Sequence, residues 1–321
     1  MSFKGFICHV TGLTVTPEEC LSCSLAGGLQ DSESGQWCPF TPPIVRGLIE
    51  SNVPRGLLAY SATELLGCPR KVVLREQEDF WVKPNQAYWA FRGKLAHSIV
   101  ELGHQDPDVV LEERFYADLA GMVVTGQVDL LYTAKRHLVD YKTTKQVPQN
   151  LKRYTCPACG SLLRETQWAY KKGSTVQCGA CGAVHNANDL QAQVTPPHPY
   201  DGHVQQLNIY RWLLAQNNIP VATAEVIYLD MSEPLRLPVP LWDLRDTEDF
   251  LFDRLRAIQE RGLDGLPEGV WGNPDEEWQC NYCPVKAVCI AYRDLAEQAL
   301  HQLITAPVEE TVEAVPAVID Y

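Results

Sequence analysis

Twelve cysteines in a chain of 321 residues, most of them in Cys-x-x-Cys pairs, constrain this fold more than any other feature of the sequence. Two thiolates two residues apart can chelate one ion from a tight turn. The twelve divide into three groups of four: Cys8, Cys20, Cys23, Cys38; Cys156, Cys159, Cys178, Cys181; and Cys68, Cys280, Cys283, Cys289. A secreted disulfide scaffold is the competing reading. It needs a signal segment and usually a short chain, whereas MSFKGFICHV holds no long apolar run. Metal in a cytoplasmic protein is therefore the expectation, and no stretch approaches the roughly 20 apolar residues of a membrane helix.

Cys156-Pro-Ala-Cys-Gly and Cys178-Gly-Ala-Cys-Gly are paired knuckles. The glycine after each pair permits the turn that brings backbone amides near the sulfurs, so the segment predicts a structural zinc ribbon. Four thiolates leave no open coordination position for catalysis. The first group has one Cys-x-x-Cys and a neighbouring His9 that can replace a ligand, and it predicts a second zinc site. Cys280, Cys283 and Cys289 are one ligand short, and Cys68 is the cysteine left outside the other two groups. One early and three late thiolates suffice for a four-iron cluster, which takes four cysteines, or for zinc on the same ligands. Either would close a loop of about two hundred residues and so constrain the unfolded chain.

With 45% apolar residues the chain can bury a catalytic-sized core. Residues 1–45, rich in Cys, Gly, Ser and Pro, predict a metal-stapled module. Residues 58–149 and 200–300 predict the two parts of one α/β core, interrupted by the ribbon at 150–199, with a disordered tail at 306–321. A helix is expected from Ser61 or Thr63 through Leu65, Leu66 and Val73, and another over 86–102. Strands are expected at Val109–Tyr116, Met122–Leu131, His137–Lys142 and Ala224–Leu229, and helices at Gly202–Gln216 and Thr247–Arg261. That order implies a mixed sheet covered by helices.

A net charge of −13 argues against a broadly basic nucleic-acid binder. Distribution qualifies this. Lys145, Lys152, Arg153, Arg164, Lys171 and Lys172 face one nearby acid, Glu165, and Tyr154, Trp168 and Tyr170 are interleaved among them. This is a candidate strand-contact surface that competes with an ordinary solvated one.

Asp140 and Lys142, two apart on a predicted strand, project to one face, and Asp129 on the preceding strand can lie alongside. Two carboxylates so placed can hold a hard divalent cation while a lysine positions water or offsets developing phosphate charge. His97 can add a nitrogen ligand. Gln206 and Tyr210 stand four apart on one helix face, with His203 on the same side.

In order and spacing, Gly93–His97, Gly126–Asp129, Asp140–Lys142 and Gln206–Tyr210 resemble the RecB-like branch of the PD-(D/E)XK nucleases, with a restriction-endonuclease-like fold. The resemblance implies that His97, Asp129 and Asp140 hold Mg²⁺ or Mn²⁺, with the Tyr141 carbonyl as a further candidate. It implies that Lys142 is catalytic and that Gln206 and Tyr210 support the site or the DNA. One cysteine before and three after these motifs is similar to the CRISPR-adaptation exonucleases (the fourth Cas protein) and the AddB nuclease domain, which favours a 4Fe-4S cluster. The expected function is phosphodiester hydrolysis at single-stranded DNA ends. The alternatives are an inactive DNA-binding accessory and a scaffold among CRISPR-adaptation or recombination proteins.

Overall fold

The computed structural model describes residues 3–52, 59–85, 88, 92–93, 108–230, 233–262 and 264–305. His97, most of the helix expected over 86–102 and the tail from 306 lie outside the described residues.

Alternating side chains build the central sheet. Strand β13 (Thr223–Leu229) turns Ala224, Val226 and Tyr228 inward, and β7 (His137–Thr143) buries Leu138, Val139 and Asp140 in succession, as a strand covered on both faces does. β13 runs parallel to β7 and antiparallel to β14 (Pro234–Val239). β7 pairs antiparallel with β6 (Met122–Tyr132), which in turn pairs with β5 (Val109–Leu119) and, in parallel, with β3 (Ala59–Ser61). This mixed six-stranded sheet agrees with the expected α/β class.

The pairing of β6 is interrupted where it matters. β3 takes Val123–Thr125, β7 takes only Leu130–Tyr132, and neither pairs with the four residues between. The partings of β3 and β7 leave a gap in the sheet at residues 126–129.

Helices cover the sheet. Ser61 caps α3 (Ala62–Leu65) with a capping box through Glu64, but the helix stops there. Pro69 has no N–H to donate and opens a separate helix, α4 (Pro69–Gln77), with Cys68 at its N-cap, so the single helix expected through Val73 is two. α5 (Asp201–Gln216) is buried on most sides, between the sheet and α6 (Leu244–Gln259), whose Leu251, Leu255 and Ile258 follow the 3.6-residue period. Burying each of these three contributes about 2 kcal/mol. α6 begins before the expected Thr247 because Asp243 accepts the Arg245 amide.

The first residues are tied into this core. β1 (Phe3–Ile7) pairs with β2 (Thr14–Val15) and, in parallel, with β4 (Phe80–Val82), burying Phe6 completely. α1 (Pro17–Leu25) packs on α2 (Pro42–Asn52), whose Val45 and Leu48 join the same core. The insertion after β7 folds as two small sheets: β8 (Leu151–Thr155) between β9 (Leu162–Thr166) and β12 (Ala192–Thr195), and the hairpin of β10 (Thr175–Gln177) with β11 (Val184–Asn186). After a 3₁₀ turn at Glu277–Tyr282, α7 (Lys286–Thr305) ends the described chain.

Candidate active site and cysteine clusters

Asp129 stands at the place where β6 and β7 part. The ladder ends at Leu130 and Val139, and one residue further Asp129 Oδ2 accepts the Tyr141 amide at 2.8 Å, replacing the backbone carbonyl that would have continued the sheet. Both carboxylates are buried, Asp140 completely. Lys142 Nζ lies 2.5 Å from Asp140 Oδ2, an ion pair without hydrogen-bond alignment. Neither Asp140 oxygen has a hydrogen-bond partner. Among the described residues Lys142 is the one charged group placed against this buried carboxylate and Oδ1 is left without a partner, so two buried carboxylates with a free oxygen form a donor set that fits a divalent ion next to the lysine.

α5 closes this gap from above. Tyr210 packs its ring on Gly126, where a Cβ would come within 2.7 Å of the ring, so the glycine is required by the tyrosine above it. Gln206 Nε2 donates to the Tyr210 hydroxyl at 2.6 Å. Burial, reinforced by the charges of Asp140 and Asp129, pushes the Tyr210 hydroxyl well above its ordinary pKa and keeps it protonated. One turn earlier, His203 Nδ1 lies 2.8 Å from the Tyr228 hydroxyl, which also accepts the Tyr200 amide. Burial pushes the His203 imidazole down to about 4; Lys142 acts the same way and Asp140 opposes it. His203 is thus neutral at pH 7.

Of the expected site residues, Asp129, Asp140, Lys142, Gln206 and Tyr210 converge, and the Tyr141 backbone joins them through its N–H. His97 lies outside the described residues. The sequence did not single out the neighbours on β5. Arg114 donates to Gln127 Oε1 at 2.9 Å, and Gln127 donates to Glu112 Oε2 at 2.7 Å. Glu112 adopts φ +48°, a left-handed conformation that costs a non-glycine residue on the order of 1 kcal/mol. It lies on β5 level with Asp129 of the adjacent β6, between the pairs Leu111–Leu130 and Glu113–Val128.

The cysteine groups differ in spread. Cys156, Cys159, Cys178 and Cys181 form the one group of three or more metal-ligating side chains, among the described residues, whose ligand atoms lie within 4.8 Å of one another. Cys156–Cys181 and Cys159–Cys178 are each 3.7 Å apart between sulfurs. That spacing is far beyond a disulfide and close to the edge of a tetrahedron with bonds of about 2.3 Å. Gly160 and Gly182 have φ near +75°, the turn expected after each Cys-x-x-Cys pair, and donate to the carbonyls of Cys156 and Cys178. His185 Nε2, which the spacing did not flag, lies 3.1 Å from Cys156 Sγ.

Cys8 repeats this turn without a second cysteine. Its amide donates to Leu13 O and Gly12 donates back to Cys8 O, the bonding seen at Cys156 and Cys178, with Thr11 where the knuckles have Cys. Cys20 and Cys23 share one side of α1, and the thiols of Cys8, Cys23 and Cys38 raise the Cys20 thiol electrostatically after burial, to about 11. Cys68, Cys280, Cys283 and Cys289 line a common cavity of 510 Å³ with Trp271 and Trp278. Arg70 reaches Cys289, and burial raises the Cys283 and Cys289 thiols.

No curated protein matches this sequence. Among solved structures, one described as "Crystal structure of SSO0001" is similar at a TM-score of 0.46 and 15% identity, covering 77% of this chain and 93% of that one. Residues 187–290 match the family model of the PD-(D/E)XK nuclease superfamily. The matched span holds Gln206, Tyr210, Cys280, Cys283 and Cys289, and starts after the strands of Asp129, Asp140 and Lys142. Over that third of the chain the sequence is similar to a PD-(D/E)XK nuclease superfamily domain.

Proposed function

We propose that this protein is a metal-dependent deoxyribonuclease of the RecB-like branch that hydrolyses phosphodiester bonds at single-stranded DNA ends. The observation that carries the reading is Asp140: fully buried, ion-paired with Lys142 and with Oδ1 left unpartnered, in the gap where two strands of the sheet separate. Asp129 and Asp140 would hold Mg²⁺ or Mn²⁺, with His97 and the Tyr141 carbonyl as further ligands. The ion supplies Lewis-acid polarisation of the phosphate and a more acidic bound water. Lys142, set beside the carboxylates, holds its ammonium where negative charge develops on the phosphate. Gln206 and Tyr210 fix the roof of the site. Neutral His203 adds no positive charge to compete with the metal.

The same reading gives the cysteine groups structural roles. The Cys68 group is more widely spaced than the Cys156 group and encloses a cavity, which suits a 4Fe-4S cluster better than a single ion. The tight Cys156 group suits zinc, and the knuckle turn at Cys8 suits a second zinc shared with Cys20, Cys23 and Cys38. CRISPR-adaptation or recombination proteins are the partners this assignment suggests.

The test is degradation of an end-labelled single strand with Mg²⁺ or Mn²⁺. Wild type should degrade it, and Lys142→Ala should lower the rate about a thousandfold or more. Equal rates would remove Lys142 from the active site, and binding without turnover in both metals would favour the inactive accessory.

A further inference from the structure

The insertion carries a face that the nuclease site does not use. Tyr154 on β8 is paired across the sheet with Arg164 on β9, and Lys152 with Thr166. Cross-strand partners share a face, as do residues two apart on a strand. Lys152, Tyr154 and Arg164 therefore lie on one side. Tyr170 folds back over them, its ring 4.7 Å from Tyr154, with the Arg164 guanidinium 5.5 Å from its centre. Trp168, 67% exposed, stands in the segment between β9 and Tyr170.

The one acid in these three strands, Glu165, is on the opposite side, paired with Arg153 at 3.4 Å. The Tyr170 side thus has basic groups and one partly exposed ring, Tyr170 laid over the buried Tyr154, with no carboxylate from β8, β9 or β12. Within 150–199 there are five Lys and Arg and two acids, in a chain of 27 and 40. A polyanion with flat bases is the occupant that this combination recognises.

Placement adds a reason. The insertion leaves from β7 just after Lys142 and returns at α5 just before His203. Both connections are pinned to the end of β13: Thr144 N donates to Leu229 O, Val147 N to Asp230 Oδ2, and Tyr200 N to the Tyr228 hydroxyl. Ten residues separate Lys142 from Lys152, a reach of at most about 35 Å, or about ten nucleotides of stacked strand.

We infer that the Lys152–Arg164–Tyr170 face of the insertion binds the single strand whose end enters the nuclease site. This rests on the proposed nuclease reading, but the two are tested separately. Binding of a fluorescent oligonucleotide of about 30 bases is measured by anisotropy on the full chain without Mg²⁺ or Mn²⁺, across a salt series, with zinc content and circular dichroism checked for each variant. Lys152→Ala/Arg164→Ala should weaken binding about tenfold or more at low salt. It should also flatten the slope of log K against log salt by about 1.4, since each phosphate contact to a single strand contributes about 0.7. Tyr170→Ala should weaken binding with little change in slope, because stacking is not ionic. Arg153→Ala, which removes a charge from the other side, should leave binding unchanged. Wild-type binding retained by the double variant, or an equal loss in Arg153→Ala, would overturn the inference. Failure of cleavage in Mg²⁺ and Mn²⁺ with this binding pattern intact would instead overturn the nuclease reading.

Discussion

Tyr210 and Gly126 show how closely single residues are fitted at the candidate site. Gly126→Ala forces a methyl against a buried ring that has no room to withdraw, and should cost about 1–3 kcal/mol in denaturant unfolding. Tyr210→Phe, which keeps the ring, should not relieve that cost; Tyr210→Ala should relieve part of it. His203 gives a pH signature. Its folded pKa is near 4 against 6.5 for the free side chain, so between those values the unfolded chain takes up a proton that the folded one refuses. Stability should therefore fall as pH drops through that window, by about 2 kcal/mol at pH 5. Metal-free wild type compared with His203→Gln in urea at pH 7 and pH 5 measures the difference, and parallel losses would contradict it. The strand and helix periods placed Asp140 with Lys142 and Gln206 with Tyr210 on common faces, and the resemblance to a family in order and spacing singled them out as a site. Arg114, Gln127 and Tyr228 were not legible in this way, since their places depend on pairings between distant strands that leave no local mark.

At the scale of elements, the junction of α3, α4 and α6 carries the link between the core and the late cysteines. Arg254 on α6 donates to the carbonyls of Leu65 and Gly67, and Gln279 accepts the Cys68 amide at 3.2 Å. Arg70 on α4 is buried and paired with Asp264, and its guanidinium stacks 4.9 Å over Trp271. Asp264→Asn leaves that guanidinium buried without its counter-ion. It should cost about 3 kcal/mol, whereas replacing both partners with apolar residues should cost less. Thermal unfolding of the single and double variants distinguishes these outcomes. The break between α3 and α4 was marked in the sequence by Gly67-Cys68-Pro69, yet the apolar spacing through Val73 pointed across it. The proline decides, because it lacks the amide that a continuous helix would need. The pairing of β1 with β4 joins segments more than seventy residues apart and had no such marker.

Across the whole molecule, one mixed sheet opens between β3 and β7 beside Asp129, a cysteine-lined cavity lies between α4 and α7, and a cysteine-paired insertion leaves from the rim of the opening. If the cavity holds the proposed cluster, anaerobic purification should give about four iron per chain beside zinc, and Cys68→Ser should lose the iron while retaining the zinc. Zinc alone in wild type would replace the cluster with a single ion. The central claim is that Asp129, Asp140 and Lys142 form a metal-dependent nuclease site. It is tested most directly by cleavage of an end-labelled strand in Mn²⁺, with Mn²⁺ binding followed on the same samples by titration calorimetry. Asp140→Asn should weaken Mn²⁺ binding about tenfold or more and abolish cleavage, and Lys142→Ala should bind Mn²⁺ at least as well as wild type and still fail to cleave. Undiminished cleavage by either variant would contradict the account.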